Sequence, residues 1–168
     1  MCKRIFKEQT SPFGEVPFFK IGTFGNIPDA YISVSVYEEY KQKYPYPQKG
    51  EVLISAAGTI GKAVVYKGEA AYYQDSNIVW VSHDESKVKN SYLYYVYQNI
   101  KWEPTTGGTI PRLYNKDLGA TKIPVPPLHI QDDIVSEIEN YEAKIAEAQA
   151  IMDGCSARKA AILNKYLM

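Results

Sequence analysis

Hydrophobic positions along the chain fall into two regimes. From residue 1 to about 127, short apolar runs alternate with turn residues. The runs at 16–21, 51–55, 63–66, 77–81 and 122–125 predict β-strands, because each groups strand-forming residues between turn signals. Gly14, Gly22, Gly25-Asn26, Lys49-Gly50, Gly58, Gly61, Lys67-Gly68 and Gly107-Gly108 supply the punctuation. Two stretches, 36–44 and 91–99, predict short helices. The second places Tyr92, Leu93, Tyr95, Val96 and then Ile100 at helical spacing, so that one face packs on a sheet.

The pattern changes after Pro124-Val125-Pro126-Pro127. Proline cannot continue a helix but is tolerated at its start, and no proline follows. Apolar or small residues then recur at Ile134, Ile138, Tyr141, Ile145, Ala148, Met152, Cys155, Ile162 and Tyr166, with Lys159 as the one polar occupant of the series. The steps alternate between four and three residues, which is the 3.5-residue repeat of a coiled-coil seam. Roughly 38 residues at ~1.5 Å each give a rod on the order of 55–60 Å long, and Gly154 weakens it by about 1 kcal/mol relative to Ala. Such a rod is longer than a small domain is wide, since the radius of gyration of ~125 residues is about 14 Å. The stripe is therefore expected to pair with a second copy of the chain or with a partner subunit. The fold class expected is α+β: a β-rich domain with short helices over 1–127, then one long coiled-coil helix over 128–168.

Composition narrows the function classes. A hydrophobic fraction of 45% is ordinary for a folded protein. No stretch approaches the ~18 consecutive apolar residues of a membrane span, and the charged segment 1–9 lacks the apolar centre of a signal peptide. Cys2 and Cys155 stand at opposite ends of the chain, which is no disulfide framework and points to a reducing cytoplasm. Net charge is zero, with 19 basic and 19 acidic residues. Its distribution is uneven: 129–168 holds seven acids and four bases, a net of −3, which leaves 15 bases and 12 acids, a net of +3, before it. A nucleic-acid binder with so few spare cations needs partner proteins or dense polar contacts. The 15 tyrosines are read mainly as strand and core residues.

Catalytic constellations are missing. His83 and His129 are the only histidines, and neither has a Cys or second His at metal spacing. No nucleophile elbow is present. Ala56-Ala57-Gly58-Thr59-Ile60-Gly61-Lys62-Ala63 approaches a phosphate loop but has Ala where that loop needs its first Gly and its Ser or Thr. What remains, a Gly-Thr-Ile-Gly-Lys turn after a strand, suits a DNA backbone phosphate or a plain hairpin turn. Gln74 and Asn77 could pair with adenine, and Arg112 with guanine, in a major groove. Asp75 could accept from cytosine or hold its loop. No cofactor or metal is called for.

These blocks, in order, resemble the target-recognition domain of type I restriction-modification specificity subunits. Gly14-Glu15-Val16-Pro17-Phe18-Phe19-Lys20-Ile21-Gly22 looks like the first strand of that domain. Gly50-Glu51-Val52-Leu53-Ile54-Ser55, with Gly58-Thr59-Ile60-Gly61-Lys62 behind it, resembles its most recognisable block. The Thr-Ile-Pro-Arg-Leu core of 107–118 and Lys116-Asp117-Leu118 look like the next, and Ile123-Pro124-Val125-Pro126-Pro127-Leu128 with Gln131 is similar to the junction with the long helix. His129-Ile130 departs from the acidic residues usual there. The resemblance implies a non-catalytic reader of double-stranded DNA that directs adenine methylation by methylase subunits and, through them, cleavage by a restriction/translocase subunit. It implies no membrane partner. A full subunit has two recognition domains and two antiparallel helices, so one of each implies a half subunit or an excised fragment, able to dimerise through its helix. The DNA-facing set expected is Lys20, Ser55, Thr59, Lys62, Gln74, Ser76, Asn77, Thr109, Arg112, Tyr114 and Lys116. The even charge balance keeps open a different class, a coiled-coil interaction or regulatory module that reads no DNA.

Overall fold

The computed structural model describes residues 1–103, 105 and 111–167. The chain forms two compact units, Met1–Pro126 and Pro127–Met168. The first is α+β. It holds two three-stranded sheets, built from β1 (Val16–Phe19), β2 (Tyr31–Ile32), β3 (Val52–Ser55), β4 (Ala63–Val65), β5 (Tyr72–Tyr73) and β6 (Ile78–Trp80). One sheet has the order β2-β1-β5, with β1 antiparallel to β2 and parallel to β5. The other has the order β4-β3-β6 and is antiparallel throughout. Helices α1 (Val34–Lys43), α2 (Asn90–Asn99) and α3 (Asn115–Ala120) complete the unit, with a single 3-10 turn at Lys7–Gln9.

The β4-β3-β6 sheet is buried on both faces, which explains the uninterrupted apolar run at its centre. Side chains alternate across a strand. Leu53, Ile78 and the half-buried Val64 and Trp80 point into one core with Phe18, Phe24, Tyr72 and Tyr73. Val52, Ile54, Ala63 and Val79 point into a second core with Leu93 and Tyr97 of α2. The first core is rich in tyrosine. Tyr37, Tyr46 and Tyr66 meet edge to face at 5.7–5.8 Å, the Tyr46 hydroxyl donates to the Ala71 carbonyl, and the Tyr66 hydroxyl donates to the Glu69 carbonyl at 2.8 Å. Burial accordingly pushes the Tyr46 and Tyr73 phenols upward, and the Cys2 thiol up to about 12.

Four of the five expected strands and both short helices are present, within a few residues of their expected bounds. The strand expected at 122–125 is absent. Pro124 and Pro126 have no amide hydrogen to give to a ladder. The segment is anchored instead by the Tyr92 hydroxyl, which donates to the Pro124 carbonyl at 3.1 Å, and by Ile123 packed on the second core. β2 and β5 span two residues each, too short to leave a periodic signal.

The second unit is α4, 40 residues from Leu128 to Leu167, about 60 Å at 1.5 Å per residue. The Pro127 carbonyl opens its ladder by accepting from the Gln131 amide at 3.1 Å. Along the expected seam Tyr141, Ile145, Met152, Ile162 and Tyr166 are each more than half exposed. Among the described residues no helix is long and apolar enough to cross a membrane.

The turn between β3 and β4 depends on Gly61. Its φ is +84°, and a Cβ there would collide with the Trp102 indole, whose nitrogen is held on the Tyr97 carbonyl at 3.0 Å. Left-handed backbone and a displaced ring together cost roughly 2–4 kcal/mol. Gly61→Ala is expected to lose that much in urea-unfolding free energy. A loss below about 0.5 kcal/mol, the range of ordinary surface substitutions, would show that the indole is not seated on this glycine.

Candidate nucleic-acid interface

Three polar segments far apart in sequence converge at the end of β3. The first is the turn from Ser55 to Lys62. Ser55 is 2% exposed. Its hydroxyl donates to the Thr59 carbonyl and accepts from the Lys62 amide at 2.8 Å, while its own amide donates to the Lys62 carbonyl at 3.0 Å. Ser55 therefore closes the turn from inside and is not placed to touch DNA, contrary to expectation. Thr59 is exposed at the tip. The Lys62 side chain lies over Gly25, where a Cβ would meet its Cε at 2.9 Å. It borders a concavity of about 800 Å³ shared with Lys67, Tyr94 and Gln98.

The second segment is the turn from Gln74 to Asn77. The Gln74 side-chain carbonyl accepts from the Ile21 amide at 2.8 Å, and its backbone amide donates to the Phe19 carbonyl at 2.9 Å. That side chain ties the turn to the end of β1, so its acceptor is not free for an adenine. Asp75 receives the Arg4 guanidinium at 3.0 Å, which makes it a loop-fixing carboxylate. Ser76 adopts φ +61°, and the Asn77 carbonyl accepts from the Ala56 amide at 2.7 Å.

The third segment carries Arg112, which bridges antiparallel to both Ala57 and Thr105. Next to it the Leu113 amide donates to the Ala56 carbonyl at 2.8 Å. The Arg112 Nη2 donates to Asn77 Oδ1 at 2.8 Å. Bidentate pairing with adenine needs that amide oxygen as an acceptor, so Asn77 would have to share it with Arg112. Ser76, Arg112, Tyr114 and Lys116 line one concavity of about 360 Å³ with Met1, Val79, Leu113 and Asn115. Lys20 lies elsewhere, paired with Asp29 at 2.8 Å in a concavity of about 520 Å³ that it shares with Gln74. Thr109 lies outside the described residues.

The two histidines have structural surroundings. His83 Nδ1 accepts from the Glu85 amide at 3.1 Å, which leaves its Nε2–H to donate to Asn90 Oδ1 at 3.0 Å. His129 is exposed in the first turn of α4. Among the described residues no group of three His, Cys, Asp or Glu side chains could hold a metal ion. Three contributors were missed in the sequence: Arg4, Trp102 and Asp117. Only Asp117 left a local signal, an acid three residues after Tyr114, the spacing of a helix cap.

An edge of converging turns on a doubly packed sheet, with a long helix behind it in sequence, defines a class of protein. The chain belongs to the Type I restriction modification DNA specificity domain family, which it matches over residues 1–152. A Haemophilus influenzae (strain Rd) protein assigned as a type I restriction enzyme specificity subunit is 57% identical over 142 residues, covering 84% of this chain and 37% of that protein. A solved chain from work on complex assembly and conformational transition of the type I R-M system superposes with a TM-score of 0.62 at 22% identity, covering 94% of this chain and 39% of its own. The S subunit of the type I restriction-modification system from M. genitalium gives 0.59 at 15% identity, covering 90% and 38%. These two likenesses establish the fold. The chain spans well under half the length of each relative.

Asp117 ties the third segment to α3. It accepts from the Tyr114 amide at 2.8 Å and from the Thr105 hydroxyl at 2.8 and 3.0 Å. The Tyr114 amide first, then the Thr105 hydroxyl, hold its carboxyl below the ordinary aspartate value. A depressed folded value means that its contribution is complete above the unfolded value of about 3.9 and is lost as pH falls through the folded one. Corrected for the intrinsic pH dependence of amide exchange, hydrogen exchange of 114–121 should therefore stay slow from neutral pH down to that range and quicken below it. In Asp117→Ala it should be fast at neutral pH as well, and slow exchange in that variant would show that the cap does not hold α3.

Proposed function

We propose that this chain is the DNA-reading part of a type I restriction-modification complex. It binds double-stranded DNA through the turns at the end of β3 and directs adenine methylation by methylase subunits. Cleavage belongs to a restriction/translocase subunit reached through them, and the chain itself contributes no catalytic group. The cytoplasm is the compartment this work requires. One observation carries the reading. The Ser55–Lys62 turn, the Gln74–Asn77 turn and the Arg112 segment are locked together by backbone bonds from Ala56 to Asn77 and from Leu113 to Ala56, so loops from three parts of the chain move as one edge. Thr59, Lys62, Ser76, Arg112, Tyr114 and Lys116 are the residues on that edge that we assign to DNA. Phosphate contacts set register and base contacts set sequence, and a preformed edge serves both.

Reconstitution with its methylase subunit and mapping of methylated adenines on genomic DNA tests the assignment. A single recurrent motif is expected, and Lys62→Glu with Lys116→Glu should abolish it while the complex still assembles. Scattered or absent methylation from a well-folded wild-type complex would sink the proposal. An unaltered motif in the double variant would favour the interaction-module reading instead.

We further propose that α4 pairs with α4 of a second copy. Two-fold pairing would set two recognition edges at a fixed separation and give a symmetric, two-part DNA target. The support is the row of apolar side chains left in water along α4, since a stripe of this length is stable only when covered. Ile138→Asp with Ile145→Asp should turn a dimer into a monomer in sedimentation equilibrium, with the far-ultraviolet signal of the β-rich unit retained. A dimer that survives both changes would refute the seam.

A further inference from the structure

The basic side chains around the converging turns are not treated alike. Arg4 meets a carboxylate, Asp75, at 3.0 Å, and Lys20 meets Asp29 at 2.8 Å. Arg112 meets a neutral amide instead, at 2.8 Å from Asn77 Oδ1. Among the described residues no carboxylate lies within ion-pair distance of Arg112 or Lys116. Asp117, beside Lys116 in sequence, spends its oxygens on Thr105 and the Tyr114 amide.

We infer that Arg112, Lys116 and Tyr114 form a clasp for one backbone phosphate of the bound DNA, gripping it whatever the bases, and that Asn77 is a positioning residue for Arg112. This deepens the DNA-reading proposal and rests on it. The three side chains line the same concavity of about 360 Å³. Two are basic and the third carries a hydroxyl, so the ligand they suit is rich in acceptors and negatively charged. Of the carboxylates near these residues in sequence, Asp75 is offset by Arg4, and Asp117 is turned onto the Tyr114 amide and the Thr105 hydroxyl. Arg112 is held on both sides of its backbone by Ala57 and Thr105, which leaves only its side chain to orient. Asn77 does that through one Nη2 hydrogen, and among the described residues no other hydrogen bond of the guanidinium is found. An aspartate at 77 would hold the same guanidinium more firmly but cancel the charge that attracts phosphate. An amide orients without cancelling, and that is the physical reason for Asn here.

The test uses the full chain assembled with its methylase subunits. It measures binding to a duplex carrying the mapped methylation motif and to a random-sequence duplex over a salt series. Arg112→Gln and Lys116→Gln should each weaken both duplexes by the same factor. Together the two changes should lower the steepness of log K against log salt by about 0.9, the loss of one phosphate contact, and each alone by part of that. Arg112→Lys should keep the slope. Asn77→Asp should lose affinity and slope as Arg112→Gln does, although its thermal midpoint stays at or above that of the wild type. That combination separates lost charge from lost fold, and it holds even if Arg112→Gln folds poorly. Methylation by these variants should be slower at an unchanged motif. If Arg112→Gln instead relaxes the motif at one base pair, Arg112 reads a base and the clasp is wrong. If Asn77→Asp keeps the wild-type slope, the Asn77–Arg112 bond is only structural and the inference also fails. A wild-type complex that binds both duplexes equally would sink the DNA-reading proposal, and the clasp would still be judged on the random duplex.

Discussion

Burial of β3 on both faces is the constraint on which the rest of the first unit depends. Leu53 and Ile54 are adjacent, fully buried, and belong to different cores. Each contributes about 1.5–3 kcal/mol on transfer from water. Both sides are apolar, so the alternation that usually specifies strand register is weak here. Polar residues at the two ends supply what the apolar run cannot. At one end the Glu51 carboxylate, 6% exposed, accepts from the Gln48 amide at 2.7 Å. At the other end Ser55 closes the turn to β4. A slip of one residue would break both sets of bonds and leave two buried polar groups unpaired, at a cost of about 1–3 kcal/mol each. The turn residues thus fix the sheet, and the sheet in turn places Thr59, Lys62 and the Asn77 carbonyl.

Much of this was legible in the sequence because it rests on periodicity and local turn chemistry. The runs around Leu53, Val64 and Val79 are long enough to show a strand, and the 3.5-residue repeat after Pro127 shows the helix outright. Tyr31-Ile32 and Tyr72-Tyr73 were invisible, because a two-residue strand is defined by its partner and not by its own pattern. The apolar Ile123-Pro124-Val125 misled for the opposite reason: it looks like a strand, but its prolines cannot join a ladder. At the candidate site Ser55 and Gln74, expected to face DNA, spend polar atoms inside the protein, and Asp75 holds its loop, one of the two roles open for it. The partners that claim them, Ile21 for Gln74 and Arg4 for Asp75, are 53 and 71 residues away, and no local pattern announces them.

The placement of charge explains how a chain with no net charge can present a positive edge. Total charge counts Lys20 and Arg4, yet carboxylates offset both. What matters to an approaching anion is where unopposed cations stand together. Arg112 and Lys116 are brought to one concavity by a strand-like segment and the first turn of α3. On the DNA-reading proposal, so few unopposed cations would give modest affinity, since the electrostatic part of binding scales with the number of phosphates neutralised.

The proposed pairing of α4 would give the long helix a physical purpose beyond assembly. One edge with a few phosphate contacts would dissociate quickly and discriminate little at physiological salt. Joining two such edges through paired α4 helices would make the second binding event intramolecular, and avidity would rise by about 10²–10⁴ with no new contact. The gain requires a stiff connection of suitable length. A continuous helix of 40 residues without a proline supplies stiffness, whereas a flexible linker would dilute the second edge over a large volume. On that proposal each edge alone would let go of wrong sequences, and the pair would hold only where both halves of the target are present.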